Sequence, residues 1–187
     1  METIKFKGCK IKTYHDEDPM NPREWDNLGF MLCFHSRYNL GDKHKYRDYD
    51  DFMHSLACEY FQPHQSITDE AIMARFAKDH IVLPLYLYDH SGITMSCSPF
   101  SCIWDSSQVG IIYVSKEKAK TEYGWKTLTS KRIEQIKSCL KAEVEIYDNY
   151  LTGNVFRYEI TRKGECIESG NGFYHYEDMV EQAKASL

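Results

Sequence analysis

The sequence predicts an α+β fold with a mostly antiparallel sheet and three to five helices, in a single domain over residues 1–187. Segments in which apolar and polar residues alternate outnumber segments of helical periodicity. Most of the predicted strands follow one another through short turns, as in hairpins. The length of 187 residues and the hydrophobic share of 42% suit one core of ordinary size.

The strands are predicted from alternation and from turn residues. Residues 4–12 alternate, and the apolar phase shifts by one residue at Gly8, which indicates a strand pair or one bulged strand. The run Ile81–Tyr88 returns as Ile93–Cys97 after a polar turn, so the two form a hairpin. Pro84 makes the first of them an edge strand or a bulged one. Further strands are predicted at Leu28–His35, Val109–Val114, Asn154–Thr161 and Cys166–Tyr174.

The helices are predicted from apolar residues three and four apart and from capping residues. Thr129–Tyr150 has the clearest apolar face. Asp48–Phe61 fits a helix that Pro63 ends, and Thr68 caps a second helix that runs to about Asp79. Two shorter helices are predicted, from Ser115 to Gly124 and over Tyr176–Ser186.

Composition excludes several classes of function. The net charge of −5 argues against direct binding of nucleic acid, which needs a basic surface. No apolar run approaches the length that spans a membrane, and the N-terminal segment has no apolar stretch typical of a signal peptide. We therefore expect a cytoplasmic protein. Its seven cysteines form no CxxC pair and are expected to be reduced thiols.

Carboxylates are concentrated in two short segments. Such patches are often solvated loops and helix starts, but they also suit a surface that faces a basic partner. The candidate partner-binding residues are Asp16, Glu17, Asp18, Asp48, Asp50 and Asp51.

The sequence contains none of the common catalytic motifs. GxGxxG, the P-loop, GxSxG and HExxH are all absent. A cysteine nucleophile, Cys97 or Cys102 with His90 as base, is disfavoured because the segment carries no positive charge. The sequence therefore favours a protein that is not an enzyme.

Polar residues at the ends of predicted strands indicate a site. His35 and His90 follow apolar strands, and Asp42 and Asp89 lie near them in the chain. Imidazole and carboxylate groups together are common ligands of divalent metals, and zinc is the metal we favour. The alternatives are that these histidines cap turns as structural residues, or that they act in acid–base catalysis.

Two tryptophans are each followed by aspartate, in Trp25-Asp26 and Trp104-Asp105. In one interpretation the indole anchors a core and the carboxylate closes a turn. In the other, both carboxylates are held by rigid aromatic anchors beside a site.

Long, specific motifs cover most of the chain. They are Asn21-Pro-Arg-Glu-Trp-Asp-Asn-Leu-Gly29, Cys33-Phe-His35, Arg37-Tyr-Asn-Leu-Gly-Asp42, Leu83-Pro-Leu-Tyr-Leu-Tyr-Asp-His-Ser-Gly92, Ser98-Pro-Phe-Ser-Cys-Ile-Trp-Asp-Ser106, Gln108-Val-Gly-Ile-Ile-Tyr-Val-Ser-Lys116, Glu143 and Tyr147–Gly153. Through these motifs the chain resembles a widespread uncharacterised protein family of phages, prophages and plasmids. The chain departs from the family pattern in the short segment between Asp42 and His80, and at Ile103, where proline is expected.

The resemblance implies an anti-defence protein. Small acidic phage proteins of this kind include metal-containing inhibitors of the type II CRISPR effector nuclease. We therefore expect a protein that binds such a nuclease and blocks nucleic-acid loading, with a structural metal held by His35, Asp42, Asp89 and His90. The alternative is a metal-dependent hydrolase that acts on nucleotides or phosphoesters.

Overall fold

A computed structural model of the chain describes residues 2–62, 67–102 and 104–187. The predictions for Pro63 and Ile103 lie outside these ranges. The described strands are β1 (Glu2–Phe6), β2 (Cys9–His15), β3 (Phe30–Cys33), β4 (His80–Asp89), β5 (Ile93–Ser96), β6 (Ser106–Ser115), β7 (Phe156–Arg162) and β8 (Glu165–Phe173). The described α-helices are α1 (Tyr49–Tyr60), α2 (Asp69–Asp79), α3 (Lys116–Glu122), α4 (Ser130–Leu151) and α5 (Tyr176–Ala185).

The described strands form two antiparallel sheets of four strands each, with the orders β1-β2-β7-β8 and β3-β6-β4-β5. Together with the five described helices they confirm the predicted α+β class. The chain divides into two compact units: residues 1–25, 92–94 and 145–187 form the first, and residues 26–91 and 95–144 form the second. The division into compact units does not test the predicted single domain over residues 1–187, which stays a prediction.

The first unit is built on the sheet β1-β2-β7-β8, against which α5 packs. Its core contains Ile11 and Ile160 from the sheet and Met179 from the helix, all fully buried. The turn between β1 and β2 is made by Lys7 and Gly8, both with positive φ, of 45° and 77°. The strand pair predicted across Gly8 is therefore confirmed.

The second unit packs α1 and α2 against the sheet β3-β6-β4-β5. Phe52 and Leu56 of α1, with Ile72 and Phe76 of α2, cover Leu32 of β3. Because apolar side chains in these helices recur at intervals of about four residues, one face of each helix can be buried on the sheet. Both helices match their predictions, down to the side-chain cap that Thr68 provides for α2.

Strand β4 lies inside its sheet, between β6 and β5, so the edge-strand alternative for it is wrong. The register of β4 against β6 does shift between Leu85 and Tyr86, but the extra residue is Val109, so the irregularity is carried by β6 and not by β4 as predicted. Pro84 lies directly before that irregularity, where a missing backbone N–H disrupts the ladder least.

No α-helix within the described ranges is long and apolar enough to cross a bilayer. None of the seven cysteines, all of which fall in those ranges, forms a disulfide.

Candidate functional site

A polar pocket of about 260 Å³ lies in the second unit where β4 ends and β6 begins. It draws on three segments, since β3 leads into His35, β4 ends at Asp89 and β6 begins at Ser106. The Asp89 backbone N–H donates to the carbonyl of Asp105 at 2.8 Å and so closes the end of the strand pair. The lining residues are His35, Arg37, Leu87, Asp89, Trp104, Asp105, Ser106 and Ser107.

Asp89 joins the segment after β3 to the end of β4. Its carboxylate pairs with the guanidinium of Arg37 and also accepts a hydrogen bond from the Tyr38 hydroxyl at 3.3 Å. The Asp89 side chain is 19% exposed, whereas that of Arg37 is 66% exposed. An ion pair thus connects the segment after β3 to the end of β4.

His35 is fixed by its own backbone turn. Its Nδ1 accepts hydrogen bonds from the backbone N–H groups of Arg37, at 3.2 Å, and Tyr38, at 3.3 Å, and its ring stacks on the Tyr38 ring. A neutral imidazole that accepts at Nδ1 carries its proton on Nε2. In this arrangement His35 offers the pocket a donor. To bind a metal, the ring would have to release both backbone groups.

His90 lies on the turn after β4, beside Asp105. Its Nδ1 is 3.6 Å from the Asp105 carboxylate, and the Cys102 thiol donates to the same carboxylate oxygen at 3.4 Å. Cys102 is therefore engaged with a carboxylate. Burial raises the pKa of the Cys97 thiol, with nearby Lys141 as a smaller opposing influence, which keeps that cysteine protonated at neutral pH.

Asp42 lies at the other end of β3. Its carboxylate accepts the Met31 backbone N–H at 2.7 Å, and its own N–H donates to the Met31 carbonyl at 2.8 Å. Met31 lies four residues before His35, which lines the polar pocket. At ~3.3 Å per residue, roughly 13 Å of chain separate the Asp42 contact from His35. The structure thus brings His35, Asp89 and His90 to one region and places Asp42 elsewhere.

Within the described ranges, no group of three or more His, Cys, Asp or Glu side chains is arranged to hold a metal ion. His35 and Asp89 both face the polar pocket, but each is engaged by protein donors. His90 and Asp105 approach each other directly, with 3.6 Å between His90 Nδ1 and the carboxylate oxygen.

The two tryptophans do not play the same role. Trp25 packs edge-on against Tyr174 with ring centroids 5.1 Å apart, in the first unit. Trp104 is 90% exposed at the polar pocket, so it anchors no core and both interpretations of it as an anchor are wrong.

The Asn27-Leu-Gly29 part of the family-like motif has a structural role. The Glu143 carboxylate of α4 accepts the backbone N–H groups of Leu28, at 2.9 Å, and Gly29, at 3.1 Å. A Cβ on Gly29 would lie 2.5 Å from the Leu140 side chain and 2.9 Å from that of Ile112. Glycine is therefore needed for α4 to approach this segment so closely.

The acidic segment at residues 16–18 forms a turn in the first unit. The Asp16 carboxylate accepts the backbone N–H groups of Asp18, at 3.3 Å, and Gly172, at 3.0 Å. Glu17 and Asp18 are exposed. Asp16 thus organises the turn, and its two neighbours present their charges to solvent.

The acidic segment at residues 48–51 begins α1. Asp48 caps the helix by accepting the Asp51 N–H at 2.8 Å, and Asp51 pairs with Arg47 at 3.1 Å. That pairing lowers the pKa of Asp51, mainly through the hydrogen bonds from Arg47. Asp50 is exposed. Two of the three predicted carboxylates therefore have structural partners and the third points to solvent.

The start of α2 lies beside the start of α1. Burial raises the pKa of Tyr49, and the negative charge of Asp69 raises it further; Asp50 and Glu70 act in the same direction. At the other end, the Arg75 guanidinium of α2 lies 4.6 Å from the ring of Tyr60, in the last turn of α1. The two helices therefore run in the same general direction, and their acidic first turns converge around Tyr49.

Charge on the second unit is concentrated in this helical layer. Residues 48–79 contain seven carboxylates and two basic side chains, a net charge of −5 that equals the net charge of the whole chain. One of the two basic residues, Arg75, pairs with Asp79 at 2.5 Å. The α1–α2 layer is thus a strongly acidic part of the second unit.

In comparisons with known proteins, no family model, no curated protein and no solved structure matches the chain. The resemblance to a phage, prophage and plasmid family stays a prediction.

Sequence reasoning missed the Arg37–Asp89 pair and the contribution of Asp69 and Glu70 to the acidic surface. The Thr68-Asp69-Glu70 start of α2 is visible in the sequence as an acidic helix start. Its proximity to Tyr49 depends on the direction of α2 relative to α1, which no local pattern contains.

Proposed function

We propose that the chain is an anti-defence protein of a phage or other mobile element that acts in the host cytoplasm. It binds a type II CRISPR effector nuclease and blocks the loading of nucleic acid. The partner class comes from the resemblance of the sequence motifs. The observation that supports an inhibitory binding role is the convergence of exposed carboxylates at the first turns of α1 and α2.

The mechanism is electrostatic and steric. A surface that loads nucleic acid is basic, and an acidic protein surface is complementary to it. Asp50, Asp69 and Glu70 are exposed near one another and present negative charge from helical backbone. A protein docked through these groups occupies the surface that phosphates need. Glu17 and Asp18 form a smaller acidic site on the first unit.

The experiment is a nuclease cleavage assay with the protein added either before or after guide RNA and target DNA. Inhibition that is strong before loading and weak after it is the expected result. The variant Asp50→Asn/Asp69→Asn/Glu70→Gln should inhibit less. Unchanged cleavage by several type II nucleases at excess protein would sink the proposal.

A matched control tests whether location or total charge matters. Glu165, Glu168 and Glu181 are exposed carboxylates of the first unit, so their conversion to glutamine removes the same charge from another surface. We expect this control to inhibit like the unmodified protein. Equal loss of inhibition in both triple variants would show that only net charge acts.

A structural divalent metal, with zinc favoured, is part of the proposal. Its donors would come from Asp89 and His90, with Asp105 as a further carboxylate near the His90 ring. A bound metal would hold this turn rigid and add its binding energy to folding. Elemental analysis of purified protein should find metal in wild type and less in Asp89→Ala and His90→Ala. Metal-free wild type rejects this part of the proposal.

The second candidate is a metal-dependent hydrolase that acts on nucleotides or phosphoesters. The observation that favours it is the exposed Trp104 at the rim of the polar pocket, since an indole can stack on a nucleobase. In this alternative His35 and Arg37 would contact phosphate oxygens. A screen of nucleotide and phosphoester substrates tests it, and no turnover with metal added rejects the enzyme.

A further inference from the structure

A second cavity in the second unit lies between α1, α2 and β6, and has a volume of about 360 Å³. This is within the range of pockets that bind small ligands. Phe52 and Ile111 at its base belong to the core, and Met73 is half-buried. Its apolar and aromatic walls are Phe34, Tyr49, Phe52, Met73, Val109 and Ile111.

The rim of this apolar cavity is acidic. Tyr49 of α1 lines the cavity and is 41% exposed, and Met73 on the other helix lies one turn after Asp69 and Glu70. Asp50 and Glu70 lie close enough to raise the pKa of Tyr49 by their charges, and both are exposed. The opening therefore combines apolar walls with the acidic first turns of the two helices that form it.

We propose that this cavity is the docking site for a basic segment of a partner protein. One apolar side chain of that segment fills the cavity, while neighbouring Lys or Arg residues face Asp50, Asp69 and Glu70. The inference rests on the proposed binding function and specifies the chemistry of the segment that is bound. Charge complementarity selects this occupant, since the acidic rim repels phosphates and acidic peptides.

The two parts of the site have separate roles. Burial of one Leu or Phe side chain supplies affinity, and removal of that anchor should weaken binding by about 10-fold to 100-fold. The carboxylates act mainly on the association rate and on selectivity, and their influence declines as salt screens them.

The test uses a fluorescein-labelled twelve-residue peptide with one central Leu and three Lys on each side. Two control peptides replace the Leu by Ser or every Lys by Glu. Fluorescence anisotropy should show binding of the first peptide, at least ~10-fold weaker binding of the Ser peptide and no binding of the Glu peptide. Equal affinity for the Leu and Ser peptides overturns the claim that an apolar side chain fills the cavity.

Substitutions at the exposed Tyr49 examine the cavity without disturbing the core. Tyr49→Ala removes one wall of the cavity and should lower the affinity for the Leu peptide about tenfold. Tyr49→Phe keeps the wall, and its affinity for the same peptide should be within about twofold of wild type. Circular dichroism establishes that both variants are folded. Wild-type affinity of folded Tyr49→Ala overturns the proposal.

The acidic rim is examined with the triple variant Asp50→Asn/Asp69→Asn/Glu70→Gln. Its affinity for the Leu peptide should depend much less on salt between 50 and 300 mM, while the Glu165, Glu168 and Glu181 control triple keeps the wild-type dependence. The same salt dependence in both triples overturns the role of the rim.

The nuclease assay separates failure of this inference from failure of the proposed function. Nuclease inhibition that Tyr49→Ala leaves intact overturns the cavity as the docking site and leaves the inhibitor function standing. Binding of the Leu peptide without inhibition of any type II nuclease supports the docking site and rejects the nuclease as its partner.

Discussion

Loss of the Glu143 carboxylate should destabilise the second unit substantially. The carboxylate accepts two backbone N–H groups, from Leu28 at 2.9 Å and Gly29 at 3.1 Å, and Gly29 is buried. Hydrogen bonds to a charged acceptor contribute ~1.5–3 kcal/mol each, and a buried donor left without a partner costs ~1–3 kcal/mol. Since water can reach the less buried Leu28, we expect Glu143→Ala to lower the free energy of unfolding by about 2–4 kcal/mol.

The assay is urea unfolding followed by circular dichroism, with thermal melting beside it. A loss of about 3 kcal/mol corresponds to a fall of roughly 6–12 °C in melting temperature for a chain of this size. Glu145→Ala is the matched control on the same helix, because Glu145 is exposed and its removal should change stability by less than ~0.5 kcal/mol. Equal unfolding midpoints for Glu143→Ala and Glu145→Ala would refute the reasoning.

Three further predictions follow from individual contacts. Gly110→Ala should lower the free energy of unfolding by more than ~3 kcal/mol and prevent stable expression, because the added Cβ would lie 2.0 Å from the Leu32 carbonyl oxygen. Asp42→Ala should lower the free energy of unfolding, measured in urea, by ~1–3 kcal/mol, because it leaves the buried Met31 N–H without its 2.7 Å acceptor. The same variant should keep the metal content of wild type. A loss of bound metal would return Asp42 to the ligand set. Burial raises the pKa of Tyr113 to about 12, whereas the pKa of a tyrosine in the unfolded chain is near 10. Tyr113 therefore binds its proton more tightly in the folded chain. The resulting stabilisation of the fold is complete below pH 10 and is lost as pH rises toward 12. Tyr113→Phe should therefore retain more of its free energy of unfolding between about pH 9 and 12 than wild type. Identical pH profiles of stability would contradict the assignment.

Much of the fold could be predicted because its signals are local. The α2 cap at Thr68 depends on neighbouring residues, and the side chain accepts the Ala71 N–H as expected. The turn at Lys7 and Gly8 and the alternation around it are equally local. Such elements follow from propensity and capping, which act within a few residues.

The position of β4 was less predictable because sheet order is a tertiary property. Pro84 removes one ladder donor, which a strand can accommodate at an edge or beside a bulge. The local sequence allows both, and the choice depends on β5 pairing with β4 after the turn that contains Ser91 and Gly92.

The candidate site was predicted in part. His35 and Asp89 do share one pocket, because β3 leads into His35 and β4 ends at Asp89 at the same end of the sheet. Asp42 does not join them, since its carboxylate is used by the Met31 N–H. Sequence can place polar residues at strand ends, but backbone donors that compete for them appear only when the chain is folded.

The common direction of α1 and α2 has a consequence for how the acidic surface is maintained. Two parallel helix dipoles repel, and each N-terminus carries about half a positive charge. The carboxylates of Asp48, Asp50, Asp69 and Glu70 lie at these positive ends and offset the repulsion. The charges that would attract a partner therefore also support the helix pair that presents them. A partner that draws these carboxylates toward its own cations competes with the two helices for the same negative charge, so tight docking should loosen the first turns of α1 and α2.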